Sequence, residues 1–215
     1  MIAAVAVCPH PPLLVPEIAA GAAGETAGLR AACDQAVRRL IATGPGRVVV
    51  IGAGTGGSFA ATANPVAANA NTRSAAPEHG GLRRFAPGVA GLDERALPLS
   101  LAIGSWLLDR AGAVAERQLV GVHADGRPTT DAPDVSGHTA LLVMADGSAR
   151  RSLKGPGYLD GRAAPFDAIV VKALAEADVV ALADLDQDLC AELLVGGVGA
   201  WKALAALAAG TRWHA

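Results

Sequence analysis

Arg47-Val48-Val49-Val50-Ile51 is a run of four β-branched residues behind one cation. Such a run, uncharged and without alternation, suits a strand buried on both faces, as in the middle of a parallel sheet. Gly44-Pro45-Gly46 precedes it and stops a helix. That helix spans Glu25 to Ala42. Leu29, Cys33, Ala36, Val37, Leu40 and Ile41 fall on one side, and Arg30, Asp34 and Arg38 on the other. Further out, Ile2–Val7 is a second short, uncharged strand. Strand, helix, strand at this spacing predicts a βαβ unit with both strands parallel.

Beyond Ile51 the pattern continues less regularly. Gly52 to Pro98 is rich in Gly, Ala, Asn and Pro and reads as a long irregular connection. Leu99 to Ala111 returns to helical spacing. Arg117–Val122 and Thr139–Ala145 read as strands, with the polar, turn-rich segment Asp125 to Gly137 between them. A loop from Asp146 to Pro165 leads to a helix over about Phe166 to Ala177. Asp186–Leu194 and Ala200–Ala209 are further helical candidates. There is no internal repeat, charge block or clear linker, so residues 1–215 are expected to form a single α/β domain.

Alanine accounts for 49 of the 215 residues while aromatics are 3%, so the core must be built from Ala, Val, Leu and Ile. An apolar share of 52% with only 18% charged residues excludes a disordered chain. The net charge of −2, without a basic stripe, gives nucleic-acid binding no electrostatic support. Cys8, Cys33 and Cys190 are odd in number and widely spaced, which argues against a disulfide framework or zinc ribbon. Met1–Val7 lacks a charged leader region and runs into a double proline, and no run of 18 apolar residues occurs. The expectation is a cytoplasmic protein without membrane association.

Ligands of open α/β sheets sit beyond the carboxyl ends of the strands. Three loops leave such ends: Cys8–Pro16, Gly52–Pro65 and Asp146–Pro165. In the first, His10 stands between prolines that stiffen its backbone, which suits a metal ligand or a general base. In the second, Gly52-Ala53-Gly54-Thr55-Gly56-Gly57 fits the GxGxxG phosphate-binding pattern. However, Pro65 follows within two turns, and no strand with a terminal carboxylate lies about twenty residues on. A turn at a strand end is therefore preferred over a dinucleotide site. His79, His123, His138 and His214 are scattered and form no helical ligand pair. Asp184, Asp186 and Asp188 lack the glycine and glutamate of a calcium loop and read as a helix N-terminal cluster.

The segment Cys8-Pro9-His10-Pro11-Pro12-Leu13-Leu14-Val15-Pro16-Glu17 resembles the N-terminal signature of the class III extradiol ring-cleavage dioxygenase superfamily, the LigB-like fold. Met144-Ala145-Asp146-Gly147-Ser148-Ala149, Gly157-Tyr158 and Pro165-Phe166-Asp167 are similar, in order, to that family's strand, GDLSH loop, GY and FD sequence. Gly80-Gly81-Leu82-Arg83-Arg84-Phe85 and Leu97-Pro98-Leu99 are similar in a weaker way. The resemblance implies an α/β fold with a central, mixed and mostly parallel sheet flanked by helices. It also implies, for active members, Fe(II) held by two His and one Glu, with a further His as acid/base.

Carried over by position, His10 matches the first metal ligand. Gly54 and Thr55 stand where the second is expected, and Ala149 where the acid/base belongs. Glu192 is the nearest candidate for the carboxylate, and the family pattern often continues past the position of Ala215. One ligand of three cannot hold Fe(II) tightly, and a missing acid/base costs about 10²–10⁴-fold in rate. The expectation is a divergent LigB-like protein that needs no cofactor. It would keep a small-molecule pocket, with His10 as the chemically active residue and Cys8, Gly54, Thr55, Asp146, Ser148, Ala149 and Tyr158 around it. Its expected partner is a small molecule, and self-association is compatible with the sequence. Two alternatives remain. One is an Fe(II) or other metal enzyme rebuilt by recruiting His79 or His138; the other is a nucleotide-dependent enzyme using Gly52–Gly57.

Overall fold

The computed structural model describes residues 1–54, 61–63, 97–155, 157–211 and 213. The elements run β1 (Ile2–Cys8), α1 (Pro16–Ala19), α2 (Ala27–Ala42), β2 (Arg47–Ala53), β3 (Ala61–Ala63), α3 (Leu99–Arg110), β4 (Glu116–Val122) and β5 (Thr139–Met144). Then come α4 (Ala163–Ala175), α5 (Val179–Ala183), α6 (Gln187–Glu192) and α7 (Val198–Ala208). The sheet order is β1-β5-β2-β4-β3. The first four strands are mutually parallel, and β3 lies antiparallel to β4.

The β-branched run of β2 is interior, as its composition demands: Val48, Val49, Val50 and Ile51 are fully buried. The alternation of strand side chains divides the sheet between two cores. Val49, Ile51, Leu141, Val143 and Val120 face the layer of α4 and α7. Val48, Val50, Leu142, Met144 and Leu119 face α2 and α3. The βαβ unit exists, but β5 is inserted between its two strands. No local pattern announces this, because β5 enters from nearly ninety residues downstream.

The boundaries moved for local reasons. The helix expected from residue 25 begins at Ala27, because a hydroxyl and a guanidinium tie its start to the loop before it. Thr26 Oγ1 donates to Leu13 O at 2.9 Å, and Arg30 Nε donates to Leu14 O at 2.7 Å. Helix α4 begins at Ala163, three residues early, since Pro165 falls in the first turn, where its missing N–H is not needed. The short α5 and the strand β3 were not anticipated. The Asp186 cluster does cap a helix: its Oδ1 accepts from the Asp188 and Leu189 amides at 2.9 and 3.1 Å. The outer edge of β1 has no strand partner among the described residues. No helix among them is long and apolar enough to cross a membrane.

Candidate functional site

Parallel pairing sets the carboxyl ends of β1, β5 and β2 side by side, with Cys8 beside Met144 and Gly52 beside Met144 on the other edge. The chain leaves β1 through Pro9-His10-Pro11 and leaves β5 through Ala145-Asp146, so His10 and Asp146 meet across neighbouring strands. The His10 amide donates to Asp146 Oδ1 at 2.9 Å, and His10 Nε2 lies 3.4 Å from Oδ2. Prolines on either side hold the backbone extended, which keeps both contacts in register.

His10 is only 8% exposed, and its Nδ1 is buried without a hydrogen-bond partner. Burial lowers the imidazole pKa from the ordinary value, against the opposing pull of the Asp146 carboxylate. The ring is therefore neutral at neutral pH. A carboxylate beside Nε2 favours the proton on that nitrogen, which leaves Nδ1 as an enclosed acceptor. This is a neutral imidazole oriented by a carboxylate, with its remaining acceptor nitrogen closed off from solvent.

The rest of the Asp146 loop is structural. Ser148 N donates to Asp167 Oδ1 at 2.9 Å, Ser148 Oγ donates to Leu193 O at 2.7 Å, and Arg150 N donates to Ser148 Oγ at 3.1 Å. The hydroxyl is thus fully engaged. Gly147 has no room for a side chain, since a Cβ there would lie 2.6 Å from Asp167 Oδ1. Ala149 N donates to Leu194 O at 3.3 Å, binding the loop to the turn after α6. The N-terminus of α7 closes over the other side of Asp146. Gly197 allows this, as its Cβ would stand 2.7 Å from Asp146 O.

Only some of the sequence-predicted residues converge. Cys8, buried on the opposite core, packs its thiol against that of Cys33, and this contact together with burial pushes the Cys8 pKa up, so it is a thiol. Gly54 donates its amide to Val122 O at 3.0 Å and sits against Thr129, toward β4 rather than toward His10. Thr55, His79, His214 and the remainder of the glycine loop lie outside the described residues. Tyr158 is 73% exposed. Glu192 faces solvent and pairs with Arg162 at 2.6 Å. His138 binds Thr43 O at 2.8 Å at the amino end of β5. Six residues of parallel strand separate that end from the end His10 leaves, about 20 Å, so His138 cannot join it.

These positions bear on iron. Among the described residues no group of three or more His, Cys, Asp and Glu side chains could hold a metal ion. His10 has one nitrogen facing Asp146 and the other enclosed, Gly54 and Ala149 offer no side-chain donor, and Glu192 is turned away. The described residues do not fit a facial triad.

Two contributors, Arg151 and Trp201, carried no sequence signal of their own, and a third, Asp167, entered only through the Pro165-Phe166-Asp167 resemblance. Asp167, Arg151 and Trp201 line a cleft of about 300 Å³ with Cys8, Pro9 and Gly147 beside the ends of β1 and β5. Asp167 accepts from Ser148 and from Arg151 Nη1, the latter at 2.6 Å. Trp201, 2% exposed, keeps a buried indole N–H without a partner. No protein-family model matches the chain, and no curated protein matches its sequence.

Proposed function

We propose that the chain is a divergent LigB-like protein, one α/β domain, that binds a small molecule at the carboxyl ends of β1 and β5 and does not cleave aromatic rings through iron. The observation that carries this reading is the commitment of His10 to Asp146. His10, at the position of the family's first metal ligand, spends its backbone amide and imidazole Nε2 on one carboxylate, and its Nδ1 is enclosed. A ligand that opens the enclosure around Nδ1 meets a neutral ring able to accept from its O–H or N–H. The resemblance of the segments around His10 and Asp146 supports the family, and the parallel sheet with helices on both faces agrees with its fold class.

The test pairs ligand binding with metal analysis. Catechols and small aromatic acids should raise the melting temperature of the untagged protein, and His10→Ala should abolish most of that rise. Protein dialysed after exposure to Fe(II) should retain well under one equivalent. Stoichiometric iron that disappears in His10→Ala would establish a metal enzyme instead. The absence of any thermal shift across the panel would remove the binding role.

A further inference from the structure

A second feature runs along the open edge of the sheet. Between β1 and the helices α4, α5 and α7 lies a groove of about 480 Å³, walled by Ala4, Val5, Leu182, Leu204, Ala208 and Trp213 among others. All of these are apolar. At its end nearest the carboxyl terminus of β1 it adjoins the 300 Å³ cleft of Arg151, Asp167 and Trp201, and Val7 and Leu174 line both. The path runs from Ala3 to Pro9, six residues of strand and so about 20 Å. It is long and narrow, with an apolar length and one polar end.

The polar end holds the Arg151–Asp167 ion pair beside the indole of Trp201. The Trp201 indole N–H can only donate, is buried, and has no partner. Arg151, 52% exposed in its side chain, bonds Asp167 through Nη1 alone among the described residues, which leaves its other N–H groups open. Asp167 accepts from Ser148 N at Oδ1 and from Arg151 at Oδ2. The guanidinium N–H groups that Asp167 leaves open can pair with a carboxylate, the geometry a guanidinium matches best. A flexible chain can follow the edge of β1 between the apolar side chains of three helices.

We propose that this groove binds a straight-chain monocarboxylic acid, with the carboxylate toward Trp201 and Arg151 and the alkyl chain along β1 toward Trp213. His10 lines neither cavity, so the assignment does not rest on the reading given above. Burial of the alkyl chain supplies the affinity, and the head group fixes its direction.

The full chain would be titrated with decanoate and with dodecanoate, below their micelle-forming concentrations, by calorimetry and tryptophan fluorescence. One saturable equivalent is expected. 1-Decanol, which keeps the chain and loses the charge, should bind at least tenfold more weakly than decanoate. Leu174→Trp, which fills the junction of the two cavities, should cost at least tenfold. Arg151→Gln should cost about tenfold. Arg151 is half-exposed, so this variant tests the head-group site without threatening the fold. Non-saturable uptake, equal binding of decanol, or affinities indifferent to Leu174→Trp and Arg151→Gln would overturn the proposal. Loss of fatty-acid binding with the catechol response intact would remove the groove and leave the His10 site standing.

Discussion

His10 is held by one carboxylate at two points, and the cost of that arrangement appears as acid sensitivity. Its folded pKa lies below the unfolded value of about 6.5, because burial disfavours the cation more than Asp146 favours it. As pH falls, the unfolded chain takes up this proton before the folded chain does. The contribution to stability is therefore complete above pH 6.5 and is lost progressively as pH drops below it. Asp34, Asp134 and Asp160 are held below the ordinary carboxylate range by Arg110, by Ser136 with Arg47, and by Arg162, so they titrate below this window. The urea midpoint should fall between pH 7.5 and pH 5.5, and His10→Asn should flatten that fall. An unchanged slope in His10→Asn would mean that the imidazole is not the buried neutral base described here. At this scale the sequence marked His10 and Asp146 by their place at strand ends. It did not mark Arg151 or Trp201 and marked Asp167 only by resemblance; the partners of Asp167 lie 16 and 19 positions away.

β5 is the element on which the others converge. It pairs with β1 on one edge and β2 on the other, and all six of its residues are buried. Leu142 belongs to the core facing α2 and α3 and has no exposed surface. Leu142→Ala should cost about 2–5 kcal/mol, from lost transfer energy and the cavity left behind. Ile169 lies on the solvent face of α4 at 57% exposure, and Ile169→Ala should stay within about 0.5 kcal/mol. Chemical denaturation of the two variants checks this contrast; comparable losses would contradict the assignment of faces. The hydrophobic run Thr139–Met144 made β5 readable as a strand. Its central position was not readable, because a strand's own residues report burial, not which neighbours provide it.

For the whole molecule, the sheet order predicts a gradient of protection. β2 and β5 are paired on both edges and covered on both faces, whereas β1 is bonded on one edge only among the described residues. Amide hydrogen exchange should be slowest in β2 and β5 and faster by at least an order of magnitude along β1. β1 carries no charge and no proline, the features that usually blunt an open edge. Exchange in β1 as slow as in β5 at high protein concentration, and faster on dilution, would show that a second copy of the chain covers it.

Local chemistry by itself determined the kinds of elements and most of their extents. A β-branched run made β2, and short apolar runs made β1, β4 and β5; helical spacing made α2 and α3; and glycine and proline at residues 44–46 fixed where α2 yields to β2. It also placed His10 on a stiff loop at a strand end. Only the tertiary structure decided that β5 lies between β1 and β2, and so that Asp146 stands beside His10, because strand order is set by packing among segments far apart in the chain. It likewise decided that Gly54 leans toward β4, that Ser148 is spent on Leu193, and that an apolar groove follows the open edge of β1. Those outcomes arise where several elements meet, and periodicity along one element carries no information about what faces it across space.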